Sequence, residues 1–278
     1  MTAAVTRETR DGRCALEFDG LYFEVDPRAG ARVTAYRLDG FDVLAGPDVD
    51  PANYGSTFWT SPQHDWGWPP PHEMDEAPYA VVAEGDNLTF IGPPQAALGV
   101  RVVKRFSADR ARRAIVAEYV LQNVTTTSRT YAPWEVSRVH GRGLTFFPIG
   151  AQPTGSLQGE RRKDILWVPY GAAPRTEAGE KLFADGTRGF VAHAGDGHLY
   201  VKSFCDTPPE TQAPGEGEIE IYVNKRYVEI EVQGPYLPIA AGASVSLKVA
   251  WYLRRLPAGV AAAVGSGALV AFAESVVA

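Results

Sequence analysis

Eleven short runs rich in Val, Ile, Leu, Tyr and Phe constrain what this chain can fold into more than any other feature of it. They read CALEFDGLYFEVD, ARVTAYRL, YAVVAE, NLTFIG, VRVVKRF, AIVAEYVLQN, FVAHA, LYVKSF, EIEIYVN, YVEIEVQ and SVSLKVAWYLRRL. Many alternate with a period of two, which turns one face of a strand to a core and the other to solvent or a second layer. Asp19-Gly20, Asp39-Gly40, Glu84-Gly85-Asp86-Asn87 and Asp196-Gly197 separate them at short intervals. That is the turn chemistry of antiparallel hairpins. No amphipathic pattern longer than about three helical turns precedes residue 258. The sequence predicts an all-β, antiparallel fold, a large sandwich or barrel.

A chain of 278 residues with 45% hydrophobic and 22% charged residues suits one large β domain spanning 1–278. The formal charge of -6 argues against nucleic acid as a partner, because counterion displacement needs clustered Lys and Arg. The one basic cluster, Arg101 to Arg113, reads as a solvated strand edge and turn. Cys14 and Cys205 are far apart and in no metal-like spacing, so neither a disulfide framework nor a zinc site is indicated and a reducing cytoplasm fits; no cofactor is expected. The start, MTAAVTRETRDGR, lacks the apolar run of a secretory signal. The tail from Ala258 to Ala278 is apolar but too weakly so for a membrane span, and is expected to pack as a terminal helix or strand.

Phe58 to His72, FWTSPQHDWGWPPPH, holds Trp59, Trp66 and Trp68, stiffened by Pro62 and Pro69-Pro70-Pro71. Large indoles are costly to leave in water, so this loop either plugs the end of a β structure or awaits a ligand. Aromatic faces beside the polar tips of Gln63, His64, Asp65 and His72 suit sugar rings, which offer C–H surface to stack and hydroxyls to bond. A metal site on His64, Asp65, His72 and Glu73 matches no standard ligand spacing.

Near the C-terminus, alternation over Tyr227 to Gln233 places Tyr227, Glu229, Glu231 and Gln233 on one face, Val228, Ile230 and Val232 on the other. Such a polar face is either a solvent-facing strand or a site with a proton acceptor beside an orienting amide.

This stretch resembles the C-terminal part of the galactose mutarotase-like (aldose 1-epimerase) superfamily. The similar features are Glu231-Val232-Gln233, then Tyr236-Leu237-Pro238, Ala241-Gly242 and Trp251. Phe23 to Leu44 is similar to the superfamily's opening strands, with Gly30-Ala31 at the turn. Lys104 to Ser107 and Tyr119 to Val139 are similar to its central strands, with Asn123 where an Asn is common. The resemblance implies a β-supersandwich that holds a sugar on its curved face, with Glu231 as the base on the anomeric hydroxyl. It departs where the superfamily supplies a catalytic His: Tyr131-Ala132-Pro133-Trp134-Glu135 has none. The chain looks closer to a branch of the superfamily in which the elements similar to Trp59-Thr60-Ser61-Pro62-Gln63 and Trp66-Gly67-Trp68-Pro69-Pro70 line the cleft.

Opening a sugar hemiacetal needs one group to take the O1 proton and another to give one to O5. The resulting expectation is an epimerase with Glu231 as base and His64 as acid, with His72 and His140 as alternative acids. Gln63 and Gln233 would orient the sugar, Trp59, Trp66 and Trp68 would stack on it, and Trp134, Glu135 and His72 would complete the site. Two alternatives stand beside it: a non-catalytic sugar-binding protein, and a glycoside hydrolase or lyase using Glu135 and Glu231 as its carboxylate pair. Arg32, Arg138 and Lys202 are candidate partners for an acidic sugar, or ordinary strand-end cations. The partner expected is a small-molecule carbohydrate, with no membrane involved and the chain a monomer or homodimer.

Overall fold

The computed structural model describes residues 5–8, 11–84, 87–171 and 176–278. Among them, all eleven runs form strands, and the chain folds as two antiparallel sheets, one of twelve strands and one of ten. The turn expected at Gly85-Asp86 lies outside the described residues.

The strand Cys14–Phe18 returns as Leu21–Asp26 through Asp19-Gly20, both at positive φ, as a tight hairpin requires. Inward-facing residues of the two sheets meet in one large core. Phe23 and Tyr36 of the first sheet stand edge-on to Trp251 of the second at 5.6 and 5.9 Å between ring centres, and the Tyr36 hydroxyl donates to Trp251 O at 2.9 Å. Edge-to-face contact suits the ring quadrupoles, and the phenol is bonded without water.

The basic cluster does not lie at an edge. Val100–Asp109 pairs on both sides, with Asn87–Gln95 and Ala114–Asn123. Alternation turns Lys104 inward, where its ammonium donates to Gly30 O at 2.6 Å and Ala31 O at 3.2 Å. Burial draws its pKa down to about 7.

The tail forms a helix, Gly267–Val277, whose Ser266 side chain caps the Leu269 N–H. Leu269 and Ala273 cover an outer apolar patch of the ten-stranded sheet around Phe146, Trp167 and Tyr252. Among the described residues no helix is long and apolar enough to cross a membrane.

The face of interest belongs to the twelve-stranded sheet. Its strands Ser56–Ser61, Arg129–His140, Tyr227–Gln233, Ile219–Val223 and Glu180–Ala184 lie side by side in that order. Register puts Trp134 opposite Trp59 and Gln233, Glu231 between Val136 and Glu220, and Glu229 between Arg138 and Tyr222. Tyr222 in turn faces Lys181.

Candidate functional site

A cleft of about 530 Å³ opens on this face, lined among others by Trp59, Trp68, Trp134, Lys181, Tyr222 and Glu229. That volume lies within the range of about 300 to 1,000 Å³ usual for small-molecule sites.

One wall is aromatic. Phe58 to Ser61 is a buried strand rather than a loop; Gln63–Asp65 forms a single tight turn and His72–Asp75 a short helix. The helix lies so close to the turn at Gly30 that a Cβ there would sit 2.5 Å from Asp75 O, and Gly30 has φ +62. Asp75 then reaches Trp59: its Oδ1 accepts from Trp59 Nε1 at 2.9 Å while Oδ2 pairs with Arg32 at 2.8 Å. Around Trp59, the rings of Trp134, Trp66 and Trp68 stand at 5.2, 5.8 and 6.0 Å in edge-on packing. Trp59 and Trp134 are buried, whereas Trp68 is 59% exposed. Trp66 donates to Thr60 O at 2.9 Å and packs on the cluster without lining the cleft.

The floor is ionic. Glu231 is buried beneath the indole of Trp134, whose Nε1 donates to Glu231 Oε2 at 2.8 Å, and beside Lys181 Nζ at 3.0 Å. Lys181 also holds Glu220 at 2.6 Å and sits 4.6 Å from the centre of the Trp134 ring. Burial works against the Lys181 charge, but Glu231 and Glu220 outweigh it and hold the ammonium above its usual range. Burial pushes the Glu220 carboxyl well up, against the pull of Lys181, and the Glu231 charge adds to the push. Toward the cleft, Arg138 Nε lies 2.8 Å from Glu229 Oε1 and its guanidinium covers Trp59 at 5.4 Å. Glu229 lines the cleft; burial raises its carboxyl despite Arg138.

A third carboxylate ties wall to floor. Glu216 accepts from the Ser61 hydroxyl, from Gln63 N at 2.6 Å and from Gln233 Nε2 at 2.8 Å. Gln233 also donates to Glu220 at 2.9 Å, so its amide is spent on protein carboxylates. It is 2% exposed.

Several sequence-derived placements change. His64 and His72 are 69% exposed at the side chain and pair with Asp65 and Glu76; neither lines the cleft, nor does any other histidine. Glu135 leaves its strand on the opposite face from Trp134 and sits inside the sandwich, bonded to Ser56, Ser137 and Lys202. Glu135 and Glu231 therefore point to opposite sides of the sheet and cannot share a glycosidic bond. Arg32, Arg138 and Lys202 are held by Asp75, Glu229 and Glu135 respectively. Asn123 fixes a turn, donating to Thr127 O at 2.7 Å and Ile239 O at 2.8 Å. Among the described residues no group of three or more His, Cys, Asp and Glu is placed to hold a metal ion.

No family's sequence profile matches the chain, and no curated protein matches it in sequence. Solved structures do match. A galactose mutarotase-like protein from Lactobacillus casei, 11% identical, superposes with a TM-score of 0.63 over 87% of this chain and 100% of its own. A putative aldose 1-epimerase from Klebsiella pneumoniae, 11% identical, gives 0.61 over 96% and 83%. The chain has the galactose mutarotase-like fold. A TPR-domain containing protein from Parabacteroides distasonis, 14% identical, gives 0.63 over 88% of this chain but 47% of its own, so this chain spans about half of it.

On this galactose mutarotase-like scaffold the Glu-x-Gln strand and the tryptophan segment do meet, through Trp134. What sequence reasoning missed is the end of the strand that faces the cleft: Glu229 rather than Gln233, with Tyr222, Asn224 and Tyr227 beside it. The alternation that put Glu229 on the Glu231 face carried that signal. The same alternation separates Trp134 from Glu135.

Proposed function

We propose that the cleft binds a carbohydrate and interconverts its anomers by acid–base chemistry. The fold supports a carbohydrate-related role; the observation that carries the reading is a carboxylate, Glu229, and a phenol, Tyr222, directly opposite each other on the floor of a cleft rimmed by an exposed indole. Directly opposed side chains on neighbouring strands start about 5 Å apart, near enough for both to reach one hemiacetal carbon. Glu229 takes the O1 proton, and Tyr222, whose hydroxyl is kept protonated by burial, delivers one to O5. Trp68 offers its face to the ring. Glu231, sealed under Trp134, is a positioning residue that sets Lys181 and the indole.

Anomer interconversion across a panel of hexoses, followed by NMR, tests this. The expected result is acceleration over buffer that falls by roughly 10² or more in both Glu229→Gln and Tyr222→Phe, with sugar binding retained. A wild-type rate equal to buffer for every sugar would overturn the isomerase reading.

A second reading, sugar binding without turnover, is favoured by one observation: no histidine lines the cleft, and Glu229 is already paired with Arg138. It predicts binding that persists in Glu229→Gln and depends on Trp68.

A further inference from the structure

Each buried indole of the cleft already carries a cation from the protein. Lys181 lies 4.6 Å from the centre of Trp134, and Arg138 lies 5.4 Å from Trp59. Trp68 belongs to the same cluster, is 59% exposed, and among the described residues has no such cation. A face of this kind attracts positive charge through its quadrupole, and most strongly where water is partly excluded.

The charge around it has the matching sign. Asp50, Glu177, Glu180 and Glu229 line the cleft against Lys181 and Arg226, with Glu231 directly behind. Most of these charges are paired, Lys181 with Glu220 and Glu231, Arg226 with Asp50 at 3.1 Å and Glu177 at 3.5 Å, and Glu229 with Arg138, which leaves carboxylates in excess along the lining and neither lining cation free to receive an anion. A cleft lined mainly by one sign of charge raises the local concentration of oppositely charged ligands and repels like ones.

We infer that the cleft selects a positively charged sugar, a hexosamine with a free amino group, over its neutral and acidic counterparts. This rests on the carbohydrate reading above and narrows it. The ammonium sits beside the Trp68 ring within the field of the cleft carboxylates, while the hydroxyls meet Glu229, Tyr222 and Asn224. An N-acetylated amine has the same ring but no charge and gains nothing from this field. A uronic acid meets carboxylates with no spare cation to receive it.

The test uses the whole chain and four probes of one stereochemistry at a time: the free hexosamine, its N-acetyl derivative, the hexose and the hexuronic acid. Binding is read by quenching of tryptophan fluorescence and by calorimetry. The hexosamine is expected to bind roughly tenfold tighter than the hexose at about 0.01 M salt, with the N-acetyl sugar close to the hexose and the uronic acid weakest. The advantage is expected to shrink toward parity near 1 M salt, where screening is nearly complete. Trp68→Ala, at an exposed position where folding is not at stake, is expected to remove most of it. Equal binding of hexosamine and hexose, or tighter binding of the uronic acid, would overturn the charge selection while leaving sugar binding intact. Absence of binding by every probe in every stereochemical series would overturn the carbohydrate reading itself.

Discussion

Trp134 Nε1 donates to Glu231 Oε2 at 2.8 Å, so the central strand and the Glu-x-Gln strand are joined by an indole lying over a carboxylate. That bond brings the aromatic wall and the acidic floor into one structure. It also explains why Glu231 is sealed from solvent: the indole above it and Lys181 beside it occupy the approach. Trp134→Phe keeps most of the packing and removes the donor. Loss of a hydrogen bond to a buried charge is expected to cost about 1.5–3 kcal/mol, read as a lower midpoint in urea unfolding with the slope unchanged.

Glu216 gives a second prediction, because one carboxylate bonds the Ser61 hydroxyl, the Gln63 amide and the Gln233 side chain together. Glu216→Ala unhooks the start of the tryptophan segment from the sheet while leaving the core untouched. Faster hydrogen exchange at the Gln63 amide and weaker sugar binding are expected, with a global stability loss of about 1–3 kcal/mol. Unchanged exchange at Gln63 would show that the wall is held by its indole packing alone.

The buried pair inside the sandwich behaves differently. Lys202 Nζ reaches the Glu135 carboxylate and, at 2.6 Å, Ile230 O, and both side chains are inaccessible to solvent. Lys202→Met leaves Glu135 with only the Ser56 and Ser137 hydroxyls, and is expected to cost about 3–5 kcal/mol as an uncompensated buried charge. Adding Glu135→Gln is expected to restore much of the loss. A double-mutant cycle by chemical denaturation measures the coupling, and strict additivity of the two single changes would contradict it.

How much of this was legible follows from which contacts are local. Runs of Val, Ile, Leu, Tyr and Phe, many of them alternating with a period of two, foretold all eleven strand segments, because such residues on a pleated surface are a property of the strand itself. The same rule located Glu229, Glu231 and Gln233 on a common face. It also separates Trp134 from Glu135, so the two residues cannot line one cleft. What no local pattern carries is depth. Glu231 is buried because Trp134 and Lys181, from strands far away in sequence, converge on it, and Gln233 because Glu216 and Glu220 claim its amide. Ser56–Ser61 was hidden for a related reason: a strand buried on both faces has no alternation to show.

His193 supplies one pH dependence of stability. Its ring is buried, with Nε2 3.0 Å from Arg142 O and Nδ1 2.9 Å from the Thr145 hydroxyl. A carbonyl only accepts, so Nε2 carries the proton and Nδ1 accepts from Thr145. Burial draws its pKa down to about 4 from an ordinary 6.5. The native state thus binds fewer protons than the unfolded chain between those values, and the contribution is intact above pH 6.5 and lost as pH falls toward 4. The shift corresponds to about 3 kcal/mol. His193→Gln, able to donate to the same carbonyl and accept from the same hydroxyl without titrating, is expected to flatten that part of the stability profile measured by urea unfolding from pH 7 to 4. An equally steep profile in the variant would assign the acid sensitivity to the carboxylates instead.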